Sequence, residues 1–368
     1  MSSAVAVPLT GILVASACAL LGNFLILRRL AMMSDAISHA ILPGLVAGYV
    51  LAQGPNLLAG FIGASLAAIA TVTAVEAIQR TRLVDGGAAI GIVFPAMFAL
   101  GTVLVTRQFS DIHLDADAIL FGSIEFVAFD TLTIDGRDLG PQSIWVMVLL
   151  CAINLLFVGV FYKELKITTF DPGLAAALGF SPVLVHYALM LVLSITSVGA
   201  FTAVGAVLVV ALVIVPAATA YLLTDRLALM IPLSVAIGAV SALIGYRVAI
   251  SLDASISGAM VTAAGAFFGL ALLFSPAQGL IVRAWRARRH RSIIACEMLV
   301  VHLLNHERAA DRDEENSVEH LSEGLRWSPA RTDLAIAGAS RRGWIVRANG
   351  HLELTSPGRE IARQVTAR

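Results

Sequence analysis

The composition of this 368-residue chain excludes an ordinary soluble domain. Apolar residues make up 58% of it and charged residues only 14%, and the mean hydropathy is +0.86, which indicates an integral membrane protein. The net charge is zero, but residues 1–282 carry 10 basic and 14 acidic side chains, whereas residues 283–368 carry 15 and 11. Two regions with different solvent preferences therefore share one chain.

Apolar stretches of about 20 residues match the roughly 30 Å core of a bilayer. They predict nine spans, at about 9–27, 32–52, 56–77, 88–106, 143–162, 183–200, 203–223, 228–248 and 255–275. Eight spans are the alternative, if 183–223 is partly re-entrant. Most of the Lys and Arg residues near span ends fall on one side in the nine-span arrangement, which the positive-inside rule makes the cytoplasm. We expect an all-α polytopic protein of the plasma membrane, with its C-terminal region inside.

The second predicted span contains Asp35 and His39, four residues apart and hence on one helix face. Ionisable residues at membrane depth usually face a bundle interior or a water-filled path. A carboxylate with an imidazole also suits first-row divalent metals. The pair therefore indicates a metal path. In the alternative interpretation, Asp35 caps the helix and His39 packs in the core.

A stretch between the fifth and sixth spans, 171–182, predicts a short helix on the cytoplasmic face. Asp171 is suited to be its N-cap, Pro172 its first residue, and Gly179 its end. A small apolar helix of this kind is either a simple linker or a docking site for a soluble partner.

Small and polar residues also cluster at 194–205, and Pro216 lies near Thr219 in the next span. Such positions bend membrane helices. Irregular backbone at that depth is tolerated only where protein or water satisfies its polar groups. They fit a translocation path and close helix packing through small residues equally well.

The chain has no motif for driving transport by itself. Its two lysines, Lys163 and Lys166, follow Tyr162 and Leu165, so neither belongs to a nucleotide-binding Gly-Lys-Ser/Thr loop. The sequence also has no GxSxG or HExxH motif. We therefore expect a transporter that is not an enzyme and that a partner powers. A channel or a proton-driven carrier would need no such partner.

Four stretches closely resemble the membrane permeases of zinc, manganese and iron ABC importers: Met33–Gly44, Ala89–Phe94, Leu120–Gly122 and Val204–Ala220. The resemblance covers about residues 10–280. It implies a permease subunit without a permanently bound cofactor, whose cargo is manganese, zinc or iron. It also implies three kinds of partner: a second permease subunit (a copy or a paralogue), cytoplasmic ATPases, and an extracytoplasmic metal-binding protein.

The resemblance also assigns roles to residues of this chain. The Asp and His of the second-span motif line the metal path in that family, and Asp35 and His39 match them. The family's ATPase-docking segment corresponds to 171–182, which puts the following residues in the docking site: Asp171, Pro172, Leu174, Leu178 and Gly179.

The C-terminal region predicts a basic and charged linker at 283–316, with a helix at 292–306, and a small α+β domain at 317–368. In that domain we expect helices at 317–325 and 329–342, two strands about the Asn349-Gly350 turn, and a helix at 357–365. This order resembles a winged helix, like the DNA-binding part of metal-dependent repressors.

Two functions fit this tail. Arg331, Arg341 and Arg342 suit DNA phosphates, but Asp333 in the would-be recognition helix and a tail charge of only +4 favour protein docking or regulation. His302 and His306 are a possible metal sensor, although an ordinary helix surface is the favoured interpretation. If the tail did bind DNA, the whole chain would be a membrane-tethered metal-responsive regulator, the main alternative to a permease.

Overall fold

The structure is a computed structural model that describes residues 2–54, 56–108, 124–134, 137–276, 279–307, 321, 325, 327–348 and 351–367. It divides the chain into two compact units, Met1–Gln278 and Gly279–Arg368. This boundary lies four residues before the predicted end of the membrane domain at 282. The predicted helix 317–325, apart from Leu321 and Leu325, the Asn349-Gly350 turn and Leu120–Gly122 lie outside the described residues.

The first unit is helical apart from a 3-10 turn, Ile124–Phe126, and a small antiparallel pair of strands, β1 (Thr131–Ile134) and β2 (Arg137–Pro141). Its helices are α1 (Ser3–Leu27), α2 (Ala31–Ala40), α3 (Leu42–Leu51), α4 (Leu57–Arg80), α5 (Gly86–Gln108), α6 (Gln142–Val160), α7 (Tyr162–Phe170), α8 (Pro172–Ala177), α9 (Pro182–Val204), α10 (Ala206–Leu223), α11 (Leu227–Leu252) and α12 (Ile256–Phe274).

Nine segments in the described part of the chain are long and apolar enough to cross a membrane, as the composition predicts. The second of them is broken, because α2 ends at Ala40 and α3 begins at Leu42 with Pro43 in its first turn. Helices α9 and α10 are separated only by Gly205, whose φ of +82° is accessible to glycine. They are 23 and 18 residues long, so each is long enough for a span.

The core of this unit forms around α1, which packs against α6, α10 and α11. Buried polar side chains stabilise these contacts. Asn154 on α6 donates to the Ala17 carbonyl at 3.0 Å and accepts from the Thr196 hydroxyl at 3.1 Å. Ser194, in the cluster near 194–205, bonds within its own helix, to the Met190 carbonyl.

The second unit contains α13 (Leu280–His306), α14 (Pro329–Arg341), a hairpin of β3 (Ile345–Ala348) and β4 (His351–Leu354), and α15 (Ser356–Thr366). Helix α13 begins at Leu280, before the basic run, so the predicted linker from 283 to 291 is helical. Cys296, Leu299, Val300 and Leu303 form its buried stripe with helical spacing. This stripe packs with Trp327, Ala335, Ala339, Ile345, Leu352, Leu354 and Ala362 into a separate small core.

Candidate functional site

Asp35 and His39 lie on the same face of α2, with 3.6 Å between Oδ1 of Asp35 and Nε2 of His39. Helix α2 begins at Ala31, so Asp35 lies in its second turn and is not the N-cap. The side chains are 44% and 26% exposed, respectively, so His39 is not a fully buried core residue either. The capping alternative for Asp35 is therefore wrong, and His39 is only partly buried.

The pair opens onto a cavity of about 340 Å³. Its other walls are apolar and come mainly from one face of α10: Ala206, Val207, Val210, Ala211, Ile214 and Val215, with Val261 of α12. Because the surrounding side chains offer no competing charge, the carboxylate and imidazole are the polar groups that a cation in this cavity would meet.

The spacing of the two donor atoms fits a shared metal ion. A separation of 3.6 Å is too long for a hydrogen bond. Oxygen and nitrogen ligands at about 2.1 Å from one tetrahedral metal lie about 3.4 Å apart. The imidazole is also packed against two rings, with ring centroids 5.2 Å from Phe94 and 6.0 Å from Phe98, which hold its orientation.

The pair alone offers too few ligands for a complete metal site. Within the described ranges, no cluster of three or more His, Cys, Asp or Glu side chains is placed to hold a metal ion. Two protein ligands are fewer than the three or four that zinc sites usually have, and fewer than the octahedral set that manganese prefers.

The predicted short helix at 171–182 is present as α8. The Asp171 carboxylate accepts from the Leu174 backbone N–H at 2.9 Å, and Pro172 is the first helical residue. The helix ends at Ala177, and Gly179 follows with a φ of +87°. Leu174 and Leu178 are 51% and 57% exposed, so they form an apolar surface on this connection.

Polar contacts tie both flanks of α8 to the ends of other helices. Arg28, just after α1, donates to the hydroxyls of Thr168 and Thr169 at 2.9 Å and 3.0 Å. Beyond α8, the Glu76 carboxylate of α4 lies 2.8 Å from Nε2 of His186 and accepts from the Tyr187 hydroxyl at 2.7 Å.

Sequence reasoning missed these ties, although Glu76 and His186 could have been found as ionisable residues inside predicted spans, the criterion that found Asp35. Nothing in the sequence pairs Arg28 with Thr168 and Thr169, because the contact crosses about 140 residues.

In the second unit, His302 and His306 are half-buried neighbours on α13, with ring centroids 4.7 Å apart. His302 and Glu297 line a cavity of about 360 Å³. Cys296 is fully buried, and this burial raises the pKa of its thiol, while Arg342 acts in the opposite direction.

The arginines considered for DNA contact differ in their surroundings. Arg331 lies 4.9 Å from the Trp327 ring centroid, and Arg342 lies 5.5 Å from that of Trp344. Arg342 also donates to the Gly338 carbonyl at 2.9 Å. Arg341 donates to the Ala337 carbonyl at 3.3 Å, so all three guanidinium groups interact within their own unit.

Comparisons with known proteins agree on one family. The model of the ABC 3 transport family matches residues 2–275. Zinc transport system membrane protein TroD of Treponema pallidum is 43% identical over 357 residues, 97% of each chain. Manganese transport system membrane protein MntD of Bacillus subtilis is 43% identical over 277 residues, 75% of this chain and 94% of MntD. The match to TroD therefore extends through the second unit, and that to MntD does not.

A solved structure gives the same answer for the fold. PsaBC from Streptococcus pneumoniae, in complex with a Fab, matches 76% of this chain and 94% of its own with a TM-score of 0.63 and 32% identity. The matched portion is about the length of the first unit. The chain belongs to the ABC 3 transport family, in which it is the membrane-spanning permease and not the ATPase.

Proposed function

We propose that this permease carries a divalent transition metal, manganese, zinc or iron, past Asp35 and His39 into the cytoplasm. The supporting observation is the donor pair, 3.6 Å apart at the wall of an otherwise apolar 340 Å³ cavity. The names of the relatives, which specify zinc or manganese transport, support this cargo.

The remaining metal ligands come, in this proposal, from a second permease subunit and from water. Each subunit would offer one Asp and one His at a central site between the two chains. A four-ligand oxygen and nitrogen set suits manganese, iron and zinc alike. An extracytoplasmic binding protein would deliver the metal, and ATPases on the opposite side would drive the cycle.

Alternating access follows from the broken second span. Asp35 and His39 lie on the short helix α2, which Ile41 separates from α3. A shift of α2 relative to α10 would move two ligands away from the metal together. An inward-open state with fewer ligands would bind the metal more weakly and release it to the cytoplasm.

We further propose that the segment 171–182 docks the ATPase on the cytoplasmic side. Leu174 and Leu178 would fill an apolar groove, while Asp171, Pro172 and Gly179 fix the ends of the helix that presents them. The exposure of both leucines next to a capped helix supports this role.

Metal binding tests the proposed site without requiring transport. We expect Mn²⁺ or Zn²⁺ to bind the purified transporter at equilibrium and Asp35→Asn or His39→Gln to weaken this binding at least about tenfold. Asp253→Asn is the matched control, because Asp253 lies at a φ of +51° that Asn tolerates. Equal affinity in all variants would refute the assignment.

For the second unit we propose a cytoplasmic regulatory role, with the helix, hairpin and helix order of a winged helix. His302 and His306 would sense the imported metal and pass the signal to a protein partner. The match to TroD across 97% of both chains supports a domain that belongs to this transporter. We expect the imported metal to inhibit uptake by the wild type, and the double variant His302→Ala, His306→Ala to lose this inhibition. His290→Ala, on the same helix, is the control and should keep it.

A further inference from the structure

Arg28 connects the segment before α8 directly to the chain that leads into α2. Its Nη2 lies 2.9 Å from the Thr168 hydroxyl and its Nε lies 3.0 Å from the Thr169 hydroxyl. Thr169 lies two residues before Asp171, the N-cap of α8. The guanidinium therefore forms hydrogen bonds to the chain next to the helix that we propose as the ATPase-docking site.

The two hydroxyls are oriented to accept from Arg28. Thr168 donates to the Glu164 carbonyl at 2.7 Å, and Thr169 donates to the Leu165 carbonyl at 2.5 Å. Each hydroxyl has only one hydrogen, which it donates to the carbonyl. It can therefore interact with the guanidinium only as an acceptor. Burial lowers the pKa of Arg28 to about 10, so the group remains charged at neutral pH and both bonds are charge-assisted.

The connection from Arg28 to the metal site is short and ordered. Arg29 has a φ of +59°, and the Leu30 N–H donates back to the Leu25 carbonyl at 2.8 Å, which closes the end of α1 in a tight turn. Helix α2 begins at Ala31, one turn before Asp35. Only two residues, Arg29 and Leu30, therefore separate Arg28 from the helix that carries Asp35 and His39.

The other flank of α8 is tied to a different helix. Glu76, which contacts His186 and Tyr187, lies on α4, which carries no proposed metal ligand and packs chiefly against α3 and more weakly against α2. Of the two ties, only the one through Arg28 runs into α2 within three residues.

We propose that Arg28 is a positioning residue that couples movement of the ATPase-docking segment to movement of α2. When the ATPases move α8, Thr168 and Thr169 displace Arg28. The tight turn after α1 transmits this displacement to α2. Asp35 and His39 then move relative to α10. This inference rests on the proposed docking role of 171–182. It gives ATP hydrolysis a direct mechanical route to the metal ligands.

The test compares Arg28→Gln with Arg29→Gln in the complete transporter in vesicles. Arg29 is the matched control, because it is the next residue, has the same charge and is exposed. The measured quantity is ATP hydrolysed per metal ion imported, with 54Mn²⁺ and 65Zn²⁺ as probes. We expect Arg28→Gln to raise this ratio about tenfold, with ATPase binding and hydrolysis within about twofold of wild type. Arg29→Gln should leave the ratio unchanged.

Thr168→Val and Thr169→Val together remove the acceptors while preserving side-chain shape. They should raise the ratio as Arg28→Gln does, and the triple variant should show no further increase. Additive effects, or an unchanged ratio in assembled Arg28→Gln transporter, would overturn the proposal. Failure of the docking role is recognised separately, because Leu174→Asp would then leave ATPase binding intact.

Discussion

At the scale of single residues, buried polar side chains stabilise the membrane-embedded core. Asn154 is fully buried and bonds both to α1, through the Ala17 carbonyl, and to α9, through Thr196. In a bilayer such interhelical bonds contribute about 0.6–1.7 kcal/mol. Asn154 therefore fixes the positions of three helices at one point.

Replacing Asn154 with Leu should lower the thermal stability of the purified permease, at a cost of about 1 kcal/mol. The change keeps a similar volume and removes both bonds. Fluorescence-monitored thermal unfolding in detergent measures the change in stability. Thr262→Val is the control, because the exposed Thr262 hydroxyl bonds only within its own helix, to Gly258. A midpoint that falls equally in both variants would contradict this role.

Cys296 gives a residue-scale prediction in the second unit. Burial raises the pKa of its thiol, so the thiolate that reacts with alkylating reagents is scarce and shielded. In a Cys18→Ser, Cys151→Ser background, maleimide should label Cys296 only after denaturation, as mass spectrometry would show. Rapid labelling of the folded protein would contradict the packed core around α13.

At the scale of elements, α3 and α4 approach each other through glycine. A Cβ at Gly44 would lie 2.1 Å from the Gly63 carbonyl oxygen, and a Cβ at Gly63 would lie 2.1 Å from that of Gly44. Both values are far below van der Waals contact, so only glycine permits this backbone separation.

Gly63→Val should therefore separate α3 from α4 and reduce the yield of folded permease, whereas Gly91→Val should be tolerated better. Gly91 also lies within a helix, but nothing lies within 4 Å of its Cβ position, so it controls for the helix propensity of Val. Size-exclusion profiles in detergent would distinguish them. Comparable monodisperse yields for the two variants would show that the close contact is dispensable.

Helix α8, which we propose to dock the ATPase, gives a second element-scale prediction. Leu174→Asp or Leu178→Asp should abolish co-purification of the ATPase, because a charge would enter the apolar interface. Lys166→Asp is the control, because Lys166 is exposed and lies before α8. Retention of the ATPase by both leucine variants would exclude this segment as the dock.

Local features of these elements could be predicted from the sequence, and contacts between them could not. Asp171, Pro172 and Gly179 act within one turn of chain, so their capping roles follow from residue type. Asp35 and His39 share a face because of helical periodicity alone. The cavity beside them depends on where α10 packs, and the Arg28 contact joins residues about 140 apart. Neither follows from periodicity.

At the scale of the whole molecule, the chain combines a permease with a separately packed second unit. The family match ends at residue 275, close to the division at Gln278. A truncation at residue 290 would cut through α13, because that helix runs from Leu280 to His306. A deletion of residues 279–368 removes the second unit at its boundary and leaves the first unit whole.

This deletion should leave ATP-dependent metal uptake within about twofold of wild type while removing any metal-dependent inhibition, because the two cores are separate. Uptake at saturating and limiting metal concentrations measures both effects. Complete loss of uptake in a deletion that still assembles with the ATPase would show that the second unit is part of the transport machinery.

Transport through this permease depends, in our proposal, on passage of the metal past Asp35 and His39. The most direct measurement is ATP-dependent uptake of 54Mn²⁺ and 65Zn²⁺ into vesicles that contain this permease with its ATPase and binding protein, comparing wild type with Asp35→Ala and His39→Ala. We predict that both variants assemble normally and lose uptake of the cargo metal, which also identifies it. Uptake equal to wild type in both variants would contradict the claim and place the path elsewhere.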